Sequence, residues 1–220
     1  MSDFVFHLDL DGVLADFESG IQAMGFPHDP ELNKSTVLLS GTGNAKKRER
    51  YEAIKGTTFF ADLPLLPGAL DIYAEVAKHG EPIILTAAPK FGAGDDDCHL
   101  NPYWQGAAYH KRWWVEHVLL PRTRWHSAKF GKLFIKHMSM ANTRVRIDDE
   151  HFICTTSSRK HEFMNRRHGK HQVLIDDRPS NIEAWAKAGG IGILHSTPEE
   201  TLRYIKELVS EEITYIGSDI

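Results

Sequence analysis

The chain has 220 residues, a net charge of −4 and an ordinary share of apolar and charged side chains, enough for one well-packed core or a core with a small accessory lobe. That charge gives no global reason to expect a nucleic-acid or membrane partner. The only two cysteines, Cys98 and Cys154, form no Cys-x-x-Cys unit, which excludes a disulfide framework or a cysteine-built zinc site and fits a reducing, cytoplasmic setting.

The N-terminus lacks the basic and apolar regions of a secretory leader, and no apolar run approaches the about 18 residues of a membrane span, so a soluble, untargeted protein is expected. Phe4-Val5-Phe6-His7-Leu8 is a short β-favouring run that gives way to a loop at Asp9-Leu10-Asp11-Gly12. Residues 17–66 are too long for a connection between neighbouring elements. With their Gly- and Pro-rich turns and a charged helical stretch from Asn44 to Lys55, they read as a small cap inserted after the first strand. Asp16, just before this segment, reads as a helix cap.

A helix over 69–78 follows, with Leu70, Tyr73, Ala74 and Ala77 on one face, and then a strand, Ile83-Ile84-Leu85, that ends at Thr86. Residues 90–150 form a second long interruption. Phe91 to Gly106 reads as a loop, with Asp95-Asp96-Asp97 solvated; Lys111 to Leu119 as a helix carrying Trp114, Val115 and Val118; and Ser127 to Asn142 as another, with Ser127 its N-cap. The basic residues Arg122, Arg124, Lys129, Lys132, Lys136, Arg144 and Arg146 lie here with no acid after Glu116 and before Asp148, a solvated face or a funnel for an anionic substrate or nucleic-acid strand.

A third strand, Val173-Leu174-Ile175, ends at Asp176-Asp177. Ser180 and Glu183 then form a capping box for a helix stopped at Gly189. Ile191 to Leu194 is a further strand, and Thr197-Pro198-Glu199-Glu200 opens a last helix. Strands alternating with helices imply an α/β fold with a doubly wound parallel sheet, built from residues 1–16 and 67–220, with 17–66 as a small, mainly helical cap.

Such a sheet binds ligands beyond the carboxyl ends of its strands, so Asp9, Asp11, Thr86, Asp176 and Asp177 are predicted to converge. Four carboxylates in one small site require a cation, and hard oxygen donors that leave room for a phosphate describe Mg²⁺. Asp9 is placed to attack phosphorus and Asp11 to exchange a proton with the leaving oxygen and then with water. Thr86 is placed to hydrogen-bond a phosphoryl oxygen.

The segments Val5 to Leu14, Ile83 to Thr86 and Val173 to Asp177 resemble, in order and spacing, the first, second and fourth motifs of the haloacid dehalogenase phosphatases. The resemblance implies a Rossmann-like core, an aspartyl-phosphate intermediate and Mg²⁺ held by Asp9, the backbone carbonyl of Asp11, and Asp176, with Asp177 beside them. It also implies a lysine before the fourth motif, for which Lys160 is chosen and Lys170 is second. Asp9 to Phe17, Phe59 to Ala69, Trp114-Val115-Glu116 and Leu174 to Pro179 are similar more particularly to the 5'(3')-deoxyribonucleotidases.

That likeness implies a nucleoside pocket in which Phe59 or Phe60 stacks on a base, with Ala87 and Arg178 near the substrate. Ala87 departs from the serine frequent in that family, and residues 120–147 resemble an insertion. The expected substrate is a small phosphate monoester, a nucleoside monophosphate. A polynucleotide end phosphatase and a catalytically idle phosphate-binding module are the alternatives.

Overall fold

The computed structural model describes residues 3–29, 32, 42–89, 105–126, 144–165 and 170–217. Five strands form one fully parallel sheet: β1 (Phe4–Leu8), β2 (Ile83–Ala87), β3 (Phe152–Thr155), β4 (His171–Asp176) and β5 (Ile191–Leu194), in the spatial order β3-β2-β1-β4-β5. The chain winds outward from β1 through β2 to β3, then crosses to β4 and continues to β5. The direction of winding therefore reverses between β1 and β4, the place where an open α/β sheet leaves a crevice at its carboxyl edge.

The helices are α1 (Phe17–Ala23), α2 (Thr42–Ile54), α3 (Ala69–Ala77), α4 (Gln105–Trp114), α5 (Leu120–His126), α6 (Pro179–Lys187) and α7 (Pro198–Gly217). Alternation along the central strands divides the core between the two faces of the sheet. Phe4, Phe6, Leu8, Ile84, Val173 and Ile175 join the larger cluster, which also takes in Ile72 and Val76 of α3 and Ile205 of α7. Leu85, Leu174 and Trp185 form a smaller cluster under α6. His7 turns to that second face, its ring 4.9 Å from the Trp185 ring and its Nδ1 3.3 Å from the Val173 carbonyl oxygen.

Between residues 17 and 66 the described elements are α1, α2 and a 3-10 turn at Phe59–Ala61, and Phe17, Ile21, Ile54, Phe59, Phe60 and Leu63 share the larger cluster with the sheet. The segment leaves and rejoins the core at adjacent points, where Asp16 N donates to Pro64 O at 2.9 Å and Leu66 N donates to Leu14 O at 2.8 Å. Asp16 caps α1 as expected, accepting from Ser19 N at 3.0 Å.

Several local expectations are corrected. Phe152–Thr155 is a fifth strand that the sequence pattern does not announce. It is short, lies at an edge of the sheet, and three of its four residues are only half-buried, so it needs no continuous apolar run. Gly106 belongs to α4, not to the preceding loop. The helix over Lys111–Leu119 is not uniform: a π-helical turn at Val115–Leu119 separates α4 from α5. Residues 120–126 continue it as α5, and Val145 and Ile147 are buried.

The capping box at Ser180 and Glu183 does not form. The helix α6 starts two residues earlier, with Pro179 in its first turn and Arg178 at the N-cap without a side-chain cap bond. The fixed φ of proline favours that earlier start. The expectations for Phe91–Trp104 and for Ser127–Asn142, including Asp95, Asp96, Asp97, Lys129, Lys132 and Lys136, lie outside the described residues.

Candidate active site

The carboxyl ends of β1, β2 and β4 bring Asp9, Asp11, Thr86, Asp176 and Asp177 to one edge of the sheet. Asp9 is held at the end of β1 because its N–H continues the ladder to Ile175 O at 3.0 Å. The next turn is tight: Leu14 N and Ala15 N both donate to Leu10 O at 2.8 Å. Gly12 has φ +79, and a Cβ there would lie 2.6 Å from Asp177 Oδ2. Glycine is thus required both for the left-handed backbone and for the approach of Asp177 to the loop.

Two buried ammonium groups face these carboxylates. Lys160 Nζ lies 2.7 Å from Asp9 Oδ2 and 2.7 Å from Asp176 Oδ2. Lys160 belongs to a 3-10 segment, Ser157–Phe163, that follows β3, which is how a residue from the sheet edge reaches the crevice. Burial opposes its charge, but Asp176 and Asp9 outweigh that cost and hold the ammonium above its usual range. Lys170 sits just before β4, at the amino end of the sheet, remote in the fold from the strand ends that carry the acids. Of the two lysines, Lys160 is the one that meets the acids.

The second ammonium is Lys111, which the sequence reading did not single out. It donates to Asp11 Oδ2 at 2.6 Å and to Thr86 Oγ1 at 3.1 Å, and it lies 4.5 Å from the centroid of the Phe60 ring. A signal was present. Lys111, Trp114, Val115 and Val118 share one helical stripe, and a lysine in the register of an apolar face needs a buried partner. Burial raises Asp11 above the ordinary carboxylate range and Asp9 adds to that, whereas Lys111 and, more weakly, Lys160 draw it back.

Asp176 is enclosed by donors. Its Oδ1 accepts from Arg178 N at 2.9 Å and Asn181 Nδ2 at 3.0 Å; its Oδ2 accepts from Asn181 Nδ2 at 2.9 Å besides Lys160. Burial raises its pKa, Lys160 opposes that rise, and Asp9 adds to it. Asn181 and Ser157, whose Oγ donates to Asn181 Oδ1 at 2.8 Å, were also not foreseen.

Oxygens of Asp9, Asp176 and Asp177 lie within 4.8 Å of one another, a spread that one cation with metal–oxygen bonds of about 2.1–2.4 Å can span. The charges agree with such an ion. Four carboxylates meet two ammonium groups and the half-buried guanidinium of Arg178 at the crevice, and Asp11 Oδ1 is buried without a hydrogen-bond partner. The side chain of Asp11 stands apart from the three-oxygen group, turned to Lys111.

The other predicted site residues are placed as follows. Arg178 is half-buried and donates from Nη1 to Ser157 Oγ at 3.3 Å. Ala87 ends β2 beside Thr155. Phe59 and Phe60 are both buried, edge-to-face with ring centroids 5.2 Å apart. Phe59 packs on Phe17, whereas Phe60 adjoins the site through Lys111.

No protein-family model and no curated protein matches the chain. Among solved structures it is similar to a haloacid dehalogenase-like family hydrolase from Streptococcus pneumoniae, at 16% identity and a TM-score of 0.34, over 93% of this chain and 99% of that one. The class defined by the chain itself is an α/β protein with a doubly wound parallel sheet and a buried acid–lysine cluster at its carboxyl edge. Among the described residues no helix is long and apolar enough to cross a membrane.

Proposed function

We propose that the chain is a metal-dependent phosphomonoesterase in which Asp9 is the nucleophile, acting on nucleoside monophosphates. The observation that supports this most is the pairing of Lys160 with Asp9 and of Lys111 with Asp11 at adjoining positions of one crevice. Two aspartates two residues apart are given different partners and hence different tasks.

An oxygen of Asp9 attacks phosphorus as the bond to the leaving oxygen breaks. Asp11, which burial holds toward its protonated form, gives a proton to that oxygen, and the nucleoside departs with a hydroxyl group. Asp11 then takes a proton from water as the water attacks the aspartyl-phosphate, inorganic phosphate leaves, and Asp9 is restored as carboxylate. Lys160 orients Asp9, while Lys111 and the Thr86 hydroxyl face the position where phosphoryl charge develops. A divalent cation such as Mg²⁺, held by Asp9, Asp176 and Asp177, supplies the positive charge that lets a phosphate dianion approach four carboxylates.

The nucleotide part of the reading rests on the similarity of Phe59–Ala69 and Leu174–Pro179 to deoxyribonucleotidases, with Arg178 at the rim and residues 17–66 as the lobe over the nucleoside. The test is phosphate release from deoxynucleoside monophosphates and from p-nitrophenyl phosphate, with Mg²⁺ and with EDTA, by wild type and Asp9→Asn. Turnover is expected to need Mg²⁺, to favour the nucleotides, and to fall at least about 10³-fold in the folded variant. Undiminished release by folded Asp9→Asn rejects the nucleophile.

A further inference from the structure

Asn181 occupies the first turn of α6, where an asparagine ordinarily serves the helix end. Here it does something else. Its Nδ2 donates back across five residues to both oxygens of Asp176, at 3.0 and 2.9 Å, and its Oδ1 accepts from Ser157 Oγ at 2.8 Å. Ser157 opens the 3-10 segment that carries Lys160, and Lys160 returns to Asp176 at 2.7 Å.

These contacts close a ring through Asp176, Asn181, Ser157 and Lys160, all but Ser157 buried. Three donor groups hold Asp176: Lys160 Nζ, the Arg178 N–H and Asn181 Nδ2, the last meeting both of its oxygens. The carboxamide is suited to this place because one end donates to a carboxylate while the other accepts from a hydroxyl. A carboxylate there would face Asp176 with like charge.

We propose that Asn181 is a positioning residue: it fixes the rotation of the Asp176 carboxylate and, through Ser157, the placement of Lys160, so that both are set before cation and phosphate arrive. This rests on the phosphatase reading above for its link to turnover, but not for its link to metal binding. Groups that orient a metal-binding carboxylate change metal affinity by roughly 10–100-fold when removed.

The experiment compares full-length wild type, Asn181→Ala, Ser157→Ala and the double variant by Mg²⁺ titration calorimetry, by kcat and KM for p-nitrophenyl phosphate, and by Tm. Asn181→Ala is expected to lower Mg²⁺ affinity and kcat by roughly 10–100-fold with KM within about threefold. Ser157→Ala should lower both by about three- to tenfold, and should add less than about twofold when Asn181 is already alanine, because it acts through that residue.

A folded Asn181→Ala protein with Mg²⁺ affinity and kcat within about twofold of wild type overturns the proposal, as does full additivity in the double variant. If Asn181→Ala does not fold, Ser157→Ala decides: unchanged affinity and kcat overturn it. Wild type that binds Mg²⁺ without releasing phosphate defeats the phosphatase reading and leaves the calorimetric arm to judge Asn181. Wild type that does neither defeats both.

Discussion

His7 and Asp9 lie two residues apart, and both are nearly removed from water, at 2% and 5% exposure. Their surroundings are opposite. His7 sits in the sheet interior against Trp185 and hydrogen-bonds a backbone carbonyl; burial pushes its imidazole down to about 4, so it is neutral at physiological pH. Asp9 sits at the carboxyl edge, 2.7 Å from a buried ammonium. Burial discharges an ionisable group that has only neutral neighbours, and it strengthens the hold of opposite charges on one another when they are buried together. The sheet therefore has a neutral middle and a charged end, and the chemistry belongs to the end.

The largest expected effect tests the charged end. Lys160→Met keeps the volume but leaves Asp9 and Asp176 facing each other inside the protein, and should cost about 3–5 kcal/mol. Urea unfolding in EDTA at neutral pH measures it, and a loss below 1 kcal/mol would show that the pair is no better than a surface ion pair.

The neutral middle is tested by acid. An unfolded histidine binds its proton below its ordinary 6.5, whereas native His7 resists until about 4. His7 therefore contributes stability that is present at neutral pH and is lost as pH falls from 6.5 to 4, about 3 kcal/mol in all. Asp11 and Asp176, raised by burial, act with the opposite sign, favouring the native state as they gain protons. Comparing wild type with His7→Gln at pH 7 and pH 4 isolates the imidazole, and parallel profiles for the two proteins would refute its part.

The smallest effect sharpens the contrast between the two lysines. Lys111→Met leaves Asp11, whose side chain is 20% exposed and already inclined to hold a proton, so the expected cost is about 1–3 kcal/mol. The same unfolding assay should rank Lys160→Met above Lys111→Met, while turnover falls steeply in both. The reverse order would mean that α4 rather than the segment after β3 supplies the tighter lysine of the cluster.

Much of this was legible in the order of residues. Apolar runs ending in Asp9, Thr86 and Asp176 mark buried parallel strands, because only strands covered on both faces are apolar throughout, and the polar residues that follow must then gather at one edge. Lys170 lies very close to the fourth strand, so the sequence favours Lys160. What the structure adds is that β3 carries the segment of Lys160 to the carboxyl edge, and β3 itself, short and half-buried, has no pattern to announce it. Asn181 and Ser157 were decided only by the tertiary structure, and so were the partners of Lys111, whose place in an apolar stripe marks it only as buried. The partners lie 5, 24 and 100 residues away, and a hydrogen bond between side chains of different elements depends on how helices pack on the sheet, which no local propensity or period encodes.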